Sequence, residues 1–195
     1  LKQIVSLMGI NDIFSMKKLI MLLAVTLFVA ANSIGQEIKW VTFGEALALQ
    51  KKKPKKIMMD VYTNWCGPCK MLDKNTFQNP DVAKYVNDNY YAVKFNAEGN
   101  EVVKYKDVTY SNSGYNAELA SRRNGVHDLA RKLQVNAYPT IVFFDEKGEV
   151  ISPLRGYQNP QQIELYLKMF KEDKHKDMKT QEDFNTYYSA FKPAF

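Results

Sequence analysis

Two cysteines are the residues of this chain whose type and spacing suit them for chemistry. Cys66 and Cys69 are the only two in 195 residues, and two residues separate them in the run WCGPCK. A pair this close can form a small disulfide ring but cannot close a long stabilising loop. The pair therefore predicts a dithiol that is oxidised and reduced in function, and no cofactor beyond its own disulfide is expected.

The start of a predicted helix assigns different roles to the two sulfurs. Unpaired N–H groups and the helix dipole favour a thiolate there, so Cys66 is the predicted nucleophile. Cys69 lies one turn further in and is expected to be more covered, so its predicted task is to attack the mixed disulfide formed at Cys66.

Half of a zinc site is the alternative interpretation of the cysteine pair. Structural zinc needs four ligands, and His127 and His175 lack a second paired spacing, so no metal is predicted.

Alternating strand and helix patterns surround the cysteine run. The apolar stretch 57–62, broken by Asp60, predicts a strand buried on both faces, and 91–96 predicts another. Helices are predicted after the caps Thr42, Asn79 and Asn159, at 70–74 and at 127–133, and a hairpin at 141–151. The predicted fold class is α/β, with a central mixed sheet, helices on both faces and antiparallel edges from the hairpin.

A family resemblance strengthens this interpretation. Residues 60–70, DVYTNWCGPCK, closely resemble the active-site strand and loop of thioredoxins, and the resemblance covers roughly 38–170. It implies the thioredoxin fold and a thiol-disulfide oxidoreductase. Segments 64–66, 76–82 and 143–148 are similar to exported bacterial thioredoxin-like proteins and to the thioredoxin-like domain of periplasmic reductant-relay proteins.

The resemblance also implies roles for two charged residues. Asp60 matches a family aspartate buried behind the second cysteine, where a raised pKa would suit it to accept the proton of Cys69. Lys94 matches the family lysine near that aspartate. The alternatives are an ordinary strand-edge acid at Asp60 and a solvated strand end at Lys94.

Tyr138-Pro139-Thr140 resembles the family's cis-proline segment, which faces the disulfide. A cis X–Pro bond is uncommon and usually conserved for a purpose. We therefore expect Pro139 and Trp65 to take part in catalysis. The residues expected to bind substrate are Trp65, Gly67, Pro68, Tyr138 and Pro139. An ordinary proline at the start of a strand is the alternative.

Two segments depart from a minimal thioredoxin. Residues 97–125 are polar and weakly patterned, which predicts an inserted surface loop or short helix. Residues 171–195 form a C-terminal extension in which four aromatic residues recur at helical spacing: Phe184, Tyr187, Tyr188 and Phe191. Such spacing predicts packing on the 36–170 domain, with a partner surface as the alternative.

The N-terminal 35 residues are interpreted as a signal segment with Met16 as its natural start. Lys17 and Lys18 precede an apolar run, 19–31, that is too short to span a membrane, and Ser33 and Gly35 follow it. Cleavage is therefore predicted near Gln36, with an exported or periplasmic product. A membrane anchor is the alternative.

The net charge of +6 includes a lysine run at 51–56. Because no aromatic residues interleave with the run, we interpret it as a solvated turn rather than a nucleic-acid or membrane patch.

The expected function is reduction of disulfides in exported proteins by a monomer that receives electrons from a membrane relay. A disulfide oxidase or isomerase is the first alternative, and a non-enzymatic binding module the second.

Overall fold

The computed structural model describes Lys17, Lys18, Ile20 and residues 37–195. The chain divides into two units, 1–36 and 37–195, and the fold below is that of the second. The predicted signal segment and its cleavage near Gln36 fall outside the described residues, apart from the three named. None of the helices in the described part has the length and apolar character needed to cross a membrane.

A five-stranded mixed sheet forms the centre of the fold, with strand order β1-β3-β2-β6-β7. Strand β2 pairs in parallel with β3 and antiparallel with β6, while β7 pairs antiparallel with β6. A separate hairpin consists of β4 and β5. The strands are β1 Trp40–Val41, β2 Lys56–Tyr62, β3 Tyr90–Asn96, β4 Val103–Tyr105, β5 Val108–Tyr110, β6 Thr140–Phe144 and β7 Val150–Arg155. The predicted mixed sheet is confirmed.

Helices cover both faces of this sheet. They are α1 Phe43–Lys52, α2 Gly67–Leu72, α3 Pro80–Asn89, α4 Asp128–Lys132, α5 Pro160–Lys171 and α6 Gln181–Ala190. Side chains of α3 and α5 enter one apolar core and those of α1 and α4 enter the other. The side chains of Thr42, Asn79 and Asn159 cap α1, α3 and α5, as their sequence patterns predict.

The helix after the cysteines continues in a different form from the one expected. Instead of an α-helix over 70–74, α2 ends at Leu72 and a π-helical turn follows at Asp73–Phe77. The Gln78 N–H donates to the Asp73 carbonyl at 3.1 Å across this turn. Hydrophobic periodicity is little affected by one widened turn, so the sequence carries no clear signal for it.

The insert at 97–125 is not merely a surface loop or short helix, and in this respect the expectation is wrong. It contains the β4–β5 hairpin and a 3₁₀ turn at Ala117–Leu119. Val103 and Tyr105 of the hairpin are buried against the same core as α1. Alternation of apolar and polar residues at 103–105 explains the strand, although so short a run was overlooked among the polar residues around it.

The ends of the insert are fastened together. The His127 N–H donates to the Ala97 carbonyl at 2.8 Å, and the Asn112 side-chain amide donates to the carbonyls of Gly99 and Gly125. A Cβ at Gly125 would lie 2.4 Å from the Gly114 carbonyl oxygen, so only glycine fits this close approach. The insert is thus a tied loop resting on the domain.

The C-terminal extension packs on the domain largely as expected. Phe184, Tyr187 and Phe191 are partly buried against the core that α3 and α5 share, whereas Tyr188 is 56% exposed. The carboxylate of Glu164 in α5 accepts hydrogen bonds from the backbone N–H groups of Ala194 and Phe195 at 2.7 and 2.9 Å. These bonds fix the end of the extension to α5.

Candidate functional site

The cysteine pair lies where β2 leads into α2. Cys66 is the N-cap of α2, and it is joined by a disulfide to Cys69, with the two Cα atoms 5.3 Å apart. The Cys69 N–H donates to the Cys66 sulfur at 3.1 Å. An N–H at a helix start that points to a sulfur would stabilise the same sulfur as a thiolate. The predicted position of Cys66 at the helix N-terminus is confirmed.

The two sulfur-bearing residues do not differ in burial as expected. Cys66 and Cys69 are each only 2% exposed. Both residues before Cys66 are bonded to the insert: the Asn64 amide donates to the Ala120 carbonyl at 2.6 Å, and the Trp65 indole donates to Glu98 at 2.7 Å. The loop that carries Cys66 is therefore held down by the insert and does not stand free in solvent.

A buried carboxylate lies in the strand that feeds the cysteine loop. Asp60 has no exposed surface, and its Oδ2 accepts a hydrogen bond from Lys94 Nζ at 2.6 Å. Its other oxygen, Oδ1, has no hydrogen-bond partner among the described residues. Burial raises the pKa of Asp60 to about 6, although Lys94 opposes the shift. This carboxyl can therefore exchange a proton near neutral pH.

Lys94 also binds a second carboxylate, that of Asp73 in the π-helical turn. Its Nζ lies 4.9 Å from the centroid of the Trp40 ring and 5.1 Å from that of Tyr62. Burial alone would lower the pKa of Lys94, but its two carboxylate partners together outweigh burial and leave that pKa raised. Lys94 is thus a cation in contact with Asp60, and not a solvated strand end.

The peptide bond between Tyr138 and Pro139 is cis, as the sequence predicts. The Pro139 carbonyl accepts a hydrogen bond from the Gly156 N–H at 2.9 Å. The rings of Trp65 and Tyr138 meet edge to face, with centroids 6.0 Å apart. This contact brings the residue before Cys66 together with the residue before the cis proline.

The remaining predicted substrate-binding residues, Gly67 and Pro68, are both exposed at the start of α2. They are accessible to a partner chain.

His127, considered above as a metal ligand, caps α4 through Nδ1, and its Nε2 lies 2.8 Å from the Glu101 carbonyl oxygen. Both of its ring nitrogens are engaged in holding the fold.

Three residues of the site were missed by sequence reasoning: Asp73, Glu98 and Arg123. Glu98 is 7% exposed, and its Oε2 accepts hydrogen bonds from the Trp65 indole and from the Asn124 N–H. The guanidinium carbon of Arg123 lies 4.7 Å from the Trp65 ring centroid. The N–H group of a partly buried indole needs a hydrogen-bond acceptor, so Trp65 itself was the one sequence signal that an acid such as Glu98 lies nearby.

Comparison with known proteins identifies the family. A family model for the thioredoxin-like domain matches residues 43–171, more than half of the chain. A thiol:disulfide interchange protein DsbD from Pectobacterium atrosepticum is 32% identical over 121 residues, which are 61% of this chain and 17% of that protein. The DsbD of Citrobacter koseri is 34% identical over 112 residues, 56% of this chain and 16% of that one. The chain thus spans less than a fifth of the length of these relatives.

Solved structures agree on the fold. A thioredoxin-fold protein from Helicobacter pylori superposes with a TM-score of 0.53 at 21% identity, covering 70% of this chain and 81% of that one. A thioredoxin from Thermus thermophilus gives a TM-score of 0.51 at 17% identity, covering 69% and 87%. With the cysteine pair, the cis proline and the matched family region on one domain, this chain belongs to the thioredoxin-like family.

Proposed function

We propose that the protein is a thiol-disulfide oxidoreductase that reduces disulfides in exported proteins. The observation that carries the proposal is a disulfide at the N-terminus of α2, preceded on β2 by a buried carboxylate with one unpaired oxygen. The proposal is also supported by the similarity to DsbD, a thiol:disulfide interchange protein, over 121 residues of this chain. A periplasmic or otherwise exported location and a membrane relay as electron donor belong to the proposal.

In the proposed reaction the dithiol form of the protein gives two electrons to the substrate. The Cys66 thiolate attacks one sulfur of the substrate disulfide, the substrate S–S bond breaks, and the other substrate sulfur leaves as a thiolate that takes up a proton. Cys69 then loses its proton to Asp60, and its thiolate attacks the Cys66 sulfur of the mixed disulfide. The Cys66–Cys69 disulfide forms as the bond between Cys66 and the substrate breaks, and the second substrate sulfur leaves as a thiolate that takes up a proton. A donor dithiol is then oxidised to a disulfide as it restores the reduced form.

Trapping of the mixed disulfide tests this division of labour. Cys69→Ser should accumulate covalent adducts with substrate proteins that dithiothreitol releases, because resolution is blocked. Cys66→Ser is the matched control and should trap almost none. Equal trapping by both variants would contradict the assigned roles. No adduct from either, together with no acceleration of insulin reduction by dithiothreitol, would support a binding module instead.

The direction of electron flow is tested separately by the reduction potential of the cysteine couple. A potential of about −270 mV, typical of thioredoxin, supports a reductase, whereas about −120 mV, typical of the oxidant DsbA, supports an oxidase. Titration against glutathione or dithiothreitol redox buffers measures it. Identification of the trapped adducts then shows whether a membrane relay protein is among the partners.

A further inference from the structure

The outer part of the insert, residues 120–124, lies beside the cysteine loop. Its Ala120 carbonyl accepts from Asn64 and its Asn124 N–H donates to Glu98, which also holds Trp65. Arg123 lies between these two anchors and places its guanidinium over the Trp65 ring. Because Trp65 touches Tyr138, the residue before the cis proline, Arg123 is next to the predicted substrate surface.

The Arg123 guanidinium, which lies over the Trp65 ring, forms no hydrogen bond with another described residue. A guanidinium that lies over an aromatic ring uses its π-face, while its N–H donors point outward in the plane of the group. Arg123 is exposed and forms no ion pair with a carboxylate among the described residues. A planar fork held in place by a ring suits two-point binding of a carboxylate, because little of its freedom remains to be lost.

Further positive charges occupy positions next to the residues of this site in sequence or in the sheet. Arg122 is the exposed neighbour of Arg123, and Lys70 is the exposed residue directly after Cys69. Arg155, also exposed, is paired with Thr140 across β7 and β6, at the residue that follows the cis proline.

Two acidic residues near the site have partners among the described residues. Glu98 Oε2 accepts from Trp65 and Asn124, and Asp73 binds Lys94. Glu118, exposed in the 3₁₀ turn of the insert, is an acid on this side that makes no ion pair with a described residue. The four exposed cations Arg122, Arg123, Lys70 and Arg155 therefore outnumber the two acids that have no cationic partner among the described residues, Glu98 and Glu118.

We infer that Arg123, supported by Arg122, Lys70 and Arg155, selects disulfide substrates whose cysteine is flanked by acidic side chains. This inference rests on the proposed function and names the substrate class for the same site. Charges on the rim of an interface act mainly through the association rate and are screened by salt. The selectivity should therefore be seen in kcat/KM and should weaken as the ionic strength rises.

Two disulfide-linked peptides test the inference. One has glutamates on both sides of its cysteine, and the other is identical except that these two residues are glutamines. At low ionic strength we expect kcat/KM for the acidic peptide to be about tenfold higher, and about twofold or less higher in 0.5 M salt. In Arg122→Gln/Arg123→Gln the ratio should fall below about twofold at low salt. Arg123→Lys, which keeps the charge but not the planar fork, should give an intermediate ratio.

Lys52→Gln, at the C-terminal end of α1, is the matched control and should leave the ratio unchanged. Equal kcat/KM values for the two peptides, or a preference that survives in the double variant, would overturn the inference while leaving the oxidoreductase function intact. Failure to reduce either peptide, with no activity on insulin, would overturn both proposals.

Discussion

Asp60 and Glu164 are two fully buried acids that the same chain treats in opposite ways. Each has a lysine partner, Lys94 for Asp60 and Lys168 for Glu164, both at 2.6 Å. Glu164 uses both of its oxygens, one for Lys168 and the other for two backbone N–H groups of the C-terminal extension. Asp60 uses one oxygen only, and the other has no partner in the described part of the chain.

The number of hydrogen-bonded oxygens distinguishes an acid that holds the fold together from one that can exchange a proton. Hydrogen bonds to both oxygens offset the cost of burying a carboxyl group, so a satisfied buried acid can hold two segments together. Asp60 has an unused oxygen, and burial penalises its charged form enough to raise its pKa to about 6. The missing hydrogen bond at Asp60 lowers the stability of the fold, but it leaves an oxygen available to accept a proton.

The largest effect is expected from Glu164→Ala. The change leaves the Ala194 and Phe195 N–H groups without their acceptor and Lys168 without its carboxylate, so we expect a loss of about 3–5 kcal/mol in the free energy of unfolding. Urea denaturation measures it. Glu172→Ala, an exposed acid in the same region, is the control. A loss under about 1 kcal/mol for Glu164→Ala would show that the extension is not anchored there.

Asp60 should make stability depend on pH in the direction opposite to a paired surface acid. Its pKa in the folded protein, about 6, lies above the ordinary value of 3.8 for an aspartate, so its contribution to stability is complete below about pH 4 and is lost as the pH rises through 6. Asp60→Asn lacks this loss. Relative to wild type, the variant should gain about 2–3 kcal/mol in unfolding free energy between pH 4 and pH 7.5. A pH-independent difference between the two proteins would contradict the raised pKa.

The same Asp60→Asn substitution should slow the chemistry that the raised pKa serves. Without a proton acceptor for Cys69, we expect release of the mixed disulfide at pH 7 to slow by about 10- to 100-fold. Stopped-flow reduction of a peptide disulfide measures this step. The wild-type rate should rise with pH through about 6 while the variant's does not, and identical pH profiles would remove Asp60 from the proton transfer.

The smallest effect is expected from Glu98→Gln. Glu98 accepts hydrogen bonds from the Trp65 indole and the Asn124 N–H on Oε2, so we expect it to act through the position of Trp65 and not by proton transfer. Glutamine keeps an acceptor, and KM for a peptide disulfide should rise by about two- to fivefold with kcat little changed. The pH profile should stay that of wild type. A shifted profile would place Glu98 with Asp60 instead.

Sequence reasoning was sufficient for the parts of the fold that depend on local patterns. Asn79 followed by proline, the capping box at Thr42 and the apolar run of β2 each identify an element by its own residues. The likeness of the WCGPCK run and of Tyr138-Pro139 to known thioredoxins added the cis bond and the contact between Asp60 and Lys94.

Several of the missed features depend on contacts between distant segments. Arg123 reaches Trp65 only because the insert folds back through the bonds at Ala97 and Gly125, and no local pattern encodes that return. The hairpin at 103–110 was hidden because its strands are three residues each. Equal burial of the two cysteines has the same origin, since the insert holds the loop before Cys66.

The positions of Trp40 and Trp65 give the protein two separate optical reporters. They are the chain's only tryptophans: Trp65 precedes the disulfide, while Trp40 contacts Lys94, the cation bound to Asp60. Emission from Trp65 should follow the opening and closing of the disulfide, and emission from Trp40 should follow the charge on the Asp60–Lys94 pair. With Trp65→Phe and Trp40→Phe, electron transfer and proton transfer can be timed independently in one cuvette without an added dye.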